Sequence, residues 1–289
     1  MAKPKVLFLN DTSTGHAGSV AASQSILGAL RRAGADIVYR HHVGSRTLPE
    51  NIWKRVQCVI CHGEGTLHGT GPRAAWLLSQ LRCAEKKGLR VGLVNALVDR
   101  QSGKSLAAET NLAILAVRDP ISFALGKGIQ SKRRFLLADS CADPRVWEGG
   151  EPLCELPPIV RGFTHPSSRC ATVLDKHSHV RFGLFQPFRD VVATLRTCKV
   201  YLTGQHHGVY AAGLAGIPFV PVPSNTHKIG ALIQWSGLPI PIAKTHDQVA
   251  ECWKWALAHP QVFQEFHDWL ISLPYLDESH LAPLLRPVS

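Results

Sequence analysis

Three polar loops hold the side chains best suited to chemistry. The first is His62-Gly63-Glu64-Gly65-Thr66-Leu67-His68-Gly69, the second Gly204-Gln205-His206-His207, and the third Ser224-Asn225-Thr226-His227-Lys228. Glu64 stands between two glycines, which let a backbone approach a ligand closely, and its carboxylate suits a ligand contact or a general base. His206, His207, Gln205 and Lys228 combine proton-carrying rings, an amide and a cation, the set that would dress an anion site.

The elements that must position these loops follow from the apolar patterning. Lys199 to Thr203 reads as a buried strand, the turn at Gly204 opens an Ala/Gly-rich helix, and Phe219 to Val222 forms the next strand. Ser224 is then expected to cap a helix that carries His227 and Lys228 near its beginning. Two helix N-termini at the same ends of neighbouring parallel strands favour phosphate or carboxylate through their free N–H groups and dipoles.

The first half repeats strand, loop and helix. The strands are Lys5 to Asn10, Ile37 to Tyr39, Val56 to Cys61, Val91 to Ala96, Leu112 to Val117 and Phe135 to Ala138. The helices run from about Ser19 to Ala33, from Arg73 to Lys87 and from Ser105 to Asn111. Such alternation implies a parallel sheet covered on both faces. Glu148 to Pro158, EGGEPLCELPP, breaks the pattern and reads as a linker. Ile159 to Thr164 restarts a strand, helices follow at His246 to Ala258 and Val262 to Ile271, and the Leu/Pro-rich tail is expected to pack back on the body. The fold class is therefore α/β, with two doubly wound Rossmann-like domains facing a cleft. Their expected limits are 1–147 for the N-terminal domain, 148–158 for the linker and 159–289 for the C-terminal domain with its helices.

Composition narrows the class further. The chain has 289 residues, is 45% hydrophobic and has a mean hydropathy of zero, as expected of a water-soluble globule. No apolar run reaches membrane-span length, and the first residues read as a strand entrance rather than a signal peptide, so a cytoplasmic location is expected. The eight cysteines are scattered through apolar sequence and read as reduced core residues. Cys58-Val59-Ile60-Cys61-His62 matches a c-type haem attachment signature, but residues three apart on a strand point to opposite faces, which excludes that reading. The Asp11-to-Gly18 loop lacks both GxGxxG and a Walker lysine. A net charge of +11 favours anionic partners, with basic clusters at Arg31-Arg32, Lys86-Lys87 and Lys132-Arg133-Arg134. No zinc finger or RNA-recognition signature marks a dedicated nucleic-acid module.

The ordered motifs resemble the polysaccharide pyruvyl transferase family. They are Asn10 with the His16/Gly18 loop, Gly63-Glu64-Gly65, Ala116-Val117-Arg118-Asp119 with Ser122, Ala138-Asp139-Ser140, Thr203-Gly204-Gln205-His206-His207-Gly208 with Ala215-Gly216-Ile217-Pro218, and Asn225 to Lys228. The resemblance spans most of the chain and implies a glycosyltransferase-B-like fold and transfer without a metal or cofactor. One departure stands out: the family's Arg-x-His is Gln205-His206-His207 here, and the neutral Gln cannot replace the Arg charge expected to hold an anionic donor.

Two donors remain open, phosphoenolpyruvate and a nucleotide sugar. In the first case His207 would protonate the enol while Glu64 takes the acceptor proton. In the second, the helix starts near His207 and Ser224, with Lys228, would hold the leaving diphosphate while Glu64 again serves as base. Donor contacts are expected from Arg118, Gly204, Gln205, His206, Ser224, Asn225, His227 and Lys228, and acceptor contacts from Asn10, Asp11, His16 and His68. A glycan-type acceptor is favoured. The basic charge keeps open a glycosyltransferase that modifies a hydroxylated base in phage DNA, and the Arg-to-Gln departure keeps open a non-catalytic nucleotide- or sugar-binding protein.

Overall fold

A computed structural model describes residues 2–45, 47–65, 67, 71–163, 178–182 and 186–285. The chain divides into two units: Met1–Thr14, Ala22–Ser140 and Pro274–Ser289 form the first, and Gly15–Ala21 with Cys141–Leu273 form the second.

The first unit is built on six parallel strands, β1 (Lys5–Asp11), β2 (Asp36–His42), β3 (Cys58–His62), β4 (Arg90–Ala96), β5 (Asn111–Val117) and β6 (Gln130–Leu136), in the order β2-β1-β3-β4-β5-β6. Parallel pairing needs a crossover between strands, and helices α1 (Ala17–Arg32), α3 (Pro72–Lys86) and α4 (Arg100–Glu109) are the longer segments that supply it, with the short α2 (Ile52–Arg55) and α5 (Pro120–Leu125) between them. Alternate residues of each central strand enter opposite cores. Val6, Phe8, Cys58 and Ile60 pack with Ile26 and Leu30 of α1, whereas Leu7, Leu9, Val59 and Cys61 pack with Leu77 and Leu81 of α3. Cys58 and Cys61 thus lie on opposite faces, as strand geometry demands, and burial pushes the Cys61 thiol up to about 12. None of the described cysteines forms a disulfide; Cys170 lies outside the described residues.

The tail returns to this sheet. Helix Glu278–Leu285 buries Leu281, Leu284 and Leu285 in the face that holds Val6 and Phe8, and Arg32 pairs with Glu278 at 3.0 Å. Residues 274–285 accordingly belong with the first unit.

The second unit has three parallel strands, β7 (Ile159–Arg161), β8 (Val200–Thr203) and β9 (Phe219–Pro221), with β8 in the centre. Helices Phe188–Leu195, His206–Ala215, Lys228–Ser236, His246–Ala258 and Pro260–Ser272 accompany them. Residues 148–158, expected as a linker, are instead laced along helix Phe188–Leu195. The N–H of Glu151 donates to Asp190 Oδ1 and that of Leu153 to Thr194 Oγ1, and a side chain at Gly150 would strike the Arg189 carbonyl.

Local chemistry explains where several elements start. Asp99 accepts from the N–H groups of Gln101 and Ser102 in a capping box, so α4 begins at Arg100, earlier than the apolar pattern from Ser105 suggested. Asp119 caps α5 through the Ser122 N–H at 2.8 Å. β6 begins at Gln130 although Lys132 and Arg133 are exposed, because it is an edge strand, where charged side chains also discourage pairing with other chains. No helix among the described residues is long and apolar enough to cross a membrane.

Candidate functional site

The order β2-β1-β3 reverses direction at β1, so the C-terminal ends of β1 and β3 form the topological switch point where open α/β sheets place ligands. Asn10, Asp11 and Thr12 arrive there from β1, and His62, Gly63 and Glu64 from β3. Asn10, Asp11, Thr12, His62 and Glu64 are all buried, Glu64 with 8% of its surface exposed. A Cβ on Gly63 would lie 2.7 Å from the Ala96 Cβ, so glycine there lets the loop leave β3 tightly against β4.

A directed set of hydrogen bonds connects these groups. The Ser140 N–H donates to Asn95 Oδ1 at 3.0 Å, which turns Asn95 Nδ2 toward His62 Nε2 at 3.0 Å and Asp139 Oδ1 at 3.4 Å. Because Nδ2 only donates, His62 Nε2 must accept and its proton sits on Nδ1. Nδ1 is 3.4 Å from both Thr12 Oγ1 and Ser23 Oγ, and the Thr12 hydroxyl donates to Glu64 Oε2 at 2.9 Å. The Thr12 N–H in turn donates to Ser23 Oγ at 3.0 Å. From the other flank, Asn10 Nδ2 donates to the His62 backbone carbonyl at 2.6 Å, and Arg73 Nη2 donates to Asn10 Oδ1 at 3.2 Å. Asn10 and Asn95 both adopt left-handed backbone conformations, φ 60° and 52°.

Arg118 was expected to meet ligand charge, but the structure gives it a partner within the unit. It is 1% exposed, and its guanidinium pairs with Asp139. Burial alone would lower its pKa, and the charges of Asp139 and Glu64 outweigh that. Asp11 is likewise engaged, accepting from Arg40 Nε at 2.7 Å and the Ser13 N–H at 3.0 Å. Burial would raise its carboxyl, but the Ser13 bonds and the Arg40 charge hold it below the ordinary value. His68 lies outside the described residues.

In the second unit, β8 delivers Thr203, Gly204 and Gln205 to the start of helix His206–Ala215. Gln205 is the N-cap residue, makes no side-chain capping bond, and its buried Oε1 has no hydrogen-bond partner among the described residues. A Cβ on Gly208 would fall 2.1 Å from Thr203 Oγ1, so glycine lets the helix start close against the strand end. His206 and His207 are buried in its first turn, their rings 5.9 Å apart. His16, expected among acceptor contacts of the first domain, belongs to the second unit. Its ring meets His207 edge-on at 4.9 Å and Phe163 at 5.6 Å, and its Nε2 is 3.1 Å from Ser19 Oγ. Gly18 is needed there, since a Cβ would lie 2.4 Å from the His207 Cβ.

The third loop differs from expectation at its cap. The helix starts at Lys228 with His227 as N-cap, while Ser224 Oγ donates to Asn225 Oδ1 at 3.1 Å. Lys228 is half-buried in the first turn.

No protein-family model matches the chain, and no curated protein matches it significantly in sequence. Solved structures do match in fold. Spinosyn rhamnosyltransferase SpnG, complexed with thymidine diphosphate, superposes with a TM-score of 0.57 at 11% identity over 95% of this chain and 97% of that one. UDP-N-acetylglucosamine 2-epimerase from Rickettsia bellii gives 0.56 at 8% identity, covering 93% and 96%. The glycosyltransferase of kitacinnamycin gives 0.52 at 11% identity, covering 98% and 97%. The chain has an α/β fold of the glycosyltransferase-B-like class.

The sequence reading named Glu64, His206 and His207 and placed His62 in the first loop without giving it a role; it did not single out Thr12, Ser23, Arg73 or Asn95, which the structure joins to these loop residues of the first unit by hydrogen bonds. The available signal was position: each of Thr12, His62 and Asn95 lies at or just beyond the end of an apolar strand run.

Proposed function

We propose that the protein is a group transferase that moves a sugar from a nucleotide-linked donor onto a hydroxyl of a glycan-type acceptor, with Glu64 as general base. The observation that carries this reading is the Glu64 carboxylate itself, at the β1/β3 switch point and accepting the Thr12 hydroxyl at 2.9 Å. An attacking hydroxyl needs a proton acceptor within hydrogen-bond reach, and a carboxylate that already receives a donated hydrogen bond is poised in its ionised form. Thr12 donates to Oε2, and the carboxylate is the group that takes the proton of the incoming hydroxyl.

The second unit serves the donor in this account. The N–H groups at the start of helix His206–Ala215 favour a leaving diphosphate, and Lys228 adds a cation. His207 lies at the same helix start and supplies a proton or hydrogen bond to the departing oxygen. Gln205 separates the donors. Its Oε1, without a hydrogen-bond partner among the described residues, can accept from a sugar or ribose hydroxyl, whereas ionised phosphoenolpyruvate has acceptor oxygens only. Among solved structures of like fold are a spinosyn rhamnosyltransferase complexed with thymidine diphosphate and a UDP-N-acetylglucosamine 2-epimerase, which supports this choice.

Pyruvyl transfer is the second reading, favoured by the ordered motifs from Asn10 to Lys228. In that case Glu64 keeps its role and His207 protonates the enol carbon. A thermal-shift series with UDP-N-acetylglucosamine, dTDP-glucose and phosphoenolpyruvate distinguishes the two, because a ligand bound only to the native state raises the melting temperature with concentration. Stabilisation by a nucleotide sugar and none by phosphoenolpyruvate is the expected result. Stabilisation by phosphoenolpyruvate alone transfers the assignment to pyruvyl transfer.

A further inference from the structure

We propose that His62 is a positioning residue for Glu64, locked as the Nδ1–H tautomer by asparagines from both flanking strands so that every hydrogen bond in the chain points toward the carboxylate. The proposal rests on the reading of Glu64 as a base but makes a claim of its own about protons. β3 lies between β1 and β4, and the penultimate residue of each neighbour is an asparagine with a left-handed backbone: Asn10 holds the His62 carbonyl, Asn95 its ring. Asparagine tolerates this conformation better than most residues with a Cβ, and it persists where the surrounding structure demands it. Two of them on one histidine mark that histidine as the centre of the arrangement.

The proton directions then follow one from another. The Ser140 N–H fixes the Asn95 amide, Asn95 Nδ2 donates to Nε2, and the Nδ1–H is left to face the hydroxyls of Ser23 and Thr12. Those hydroxyls are 3.1 Å apart, and Thr12 Oγ1 receives a proton from this side while giving its own to Glu64. A histidine with the opposite tautomer would set Nε2–H against Asn95 Nδ2–H and leave Nδ1 without a proton to give. The Arg118 guanidinium also acts on Glu64 through its charge, and the neutral His62 ring lies 3.9 Å from Oε2, so the hydroxyl relay adds to a cation already present in this unit.

The test uses the full chain, isotope-labelled at histidine and glutamate. Long-range proton–nitrogen spectra should show His62 protonated at Nδ1, and an Nε2–H signature overturns the proposal. The Glu64 side-chain carbon is then titrated in wild type, Thr12→Val and Thr12→Ser, with thermal melts to confirm folding. Valine keeps the shape but removes the donor, so the Glu64 midpoint should rise by about one pH unit, while serine should leave it near wild type. An unchanged midpoint in a folded Thr12→Val contradicts the relay. A midpoint that moves as described in a protein that transfers no sugar leaves the relay standing and removes only the catalytic reading.

Discussion

Asn95 Nδ2 lies 3.0 Å from His62 Nε2, and the same Nδ2 reaches Asp139 Oδ1 at 3.4 Å. One amide therefore joins the histidine that faces Thr12 and Glu64 to the carboxylate that neutralises Arg118. The first unit's polar groups form a continuous buried network at the C-terminal ends of β1, β3, β4 and β5, and buried networks of this kind are costly to leave half satisfied.

Arg118 is expected to matter for stability. Replacing it by methionine leaves the Asp139 carboxylate buried without its cation, which should cost about 3–5 kcal/mol. Urea denaturation of Arg118→Met measures this, and a midpoint equal to wild type would show that the ion pair contributes nothing.

His41 sets a pH dependence. It is 1% exposed, its ring nitrogens have no hydrogen-bond partner among the described residues, and it stacks on Trp76 at 4.6 Å. Burial first, then the Arg73 charge, lowers its pKa below the ordinary 6.5. A depressed histidine binds fewer protons folded than unfolded, so its contribution is fully present above about pH 6.5 and is lost as pH falls through the folded value. His41→Phe, which keeps the stacking, should flatten stability against pH below that point. Parallel curves for variant and wild type would refute the assignment.

Lys228 is expected to act on the donor. Lys228→Ala should weaken binding of UDP-N-acetylglucosamine while moving the melting temperature little, as changes away from the core usually do. Full affinity together with a large loss of stability would make it a structural residue.

The net charge of +11 poses the acceptor question directly. A nucleic-acid acceptor releases counterions on binding, so affinity would fall steeply with salt, whereas a neutral glycan brings no such dependence. Weak binding of single-stranded and duplex DNA at all salt concentrations is expected. Micromolar binding with a slope of several ions, and sugar transfer to a hydroxylated base, would establish the DNA-modifying alternative.

Much of this architecture was legible in the residues. Apolar runs marked β1, β3, β4, β5, β8 and β9, and the glycines around Glu64 and His207 marked loops at strand ends. Alternation along Cys58 to Cys61 already excluded a shared ligand, and the two thiols do occupy opposite cores. What stayed hidden was partnership at long sequence separation. Nothing local announces that Asn10 and Asn95 converge on His62, 52 and 33 residues away, or that Arg118 meets Asp139. The helix starts at Lys228 rather than next to Ser224, because Ser224 has the side chain of a cap but bonds to Asn225 instead. Likewise, residues 148–158 have a linker's composition, while their backbone N–H groups find partners on helix Phe188–Leu195.

The central claim is that Glu64 takes the acceptor's proton, and the direct measurement is release of nucleoside diphosphate by wild type and Glu64→Gln, with UDP-N-acetylglucosamine or dTDP-glucose as donor and a panel of glycan acceptors. The glutamine is isosteric and still accepts the Thr12 hydrogen bond, so donor affinity and folding should persist. Turnover should fall by about two to four orders of magnitude, the range expected for loss of a general base. A folded Glu64→Gln that releases the diphosphate at the wild-type rate would contradict the account.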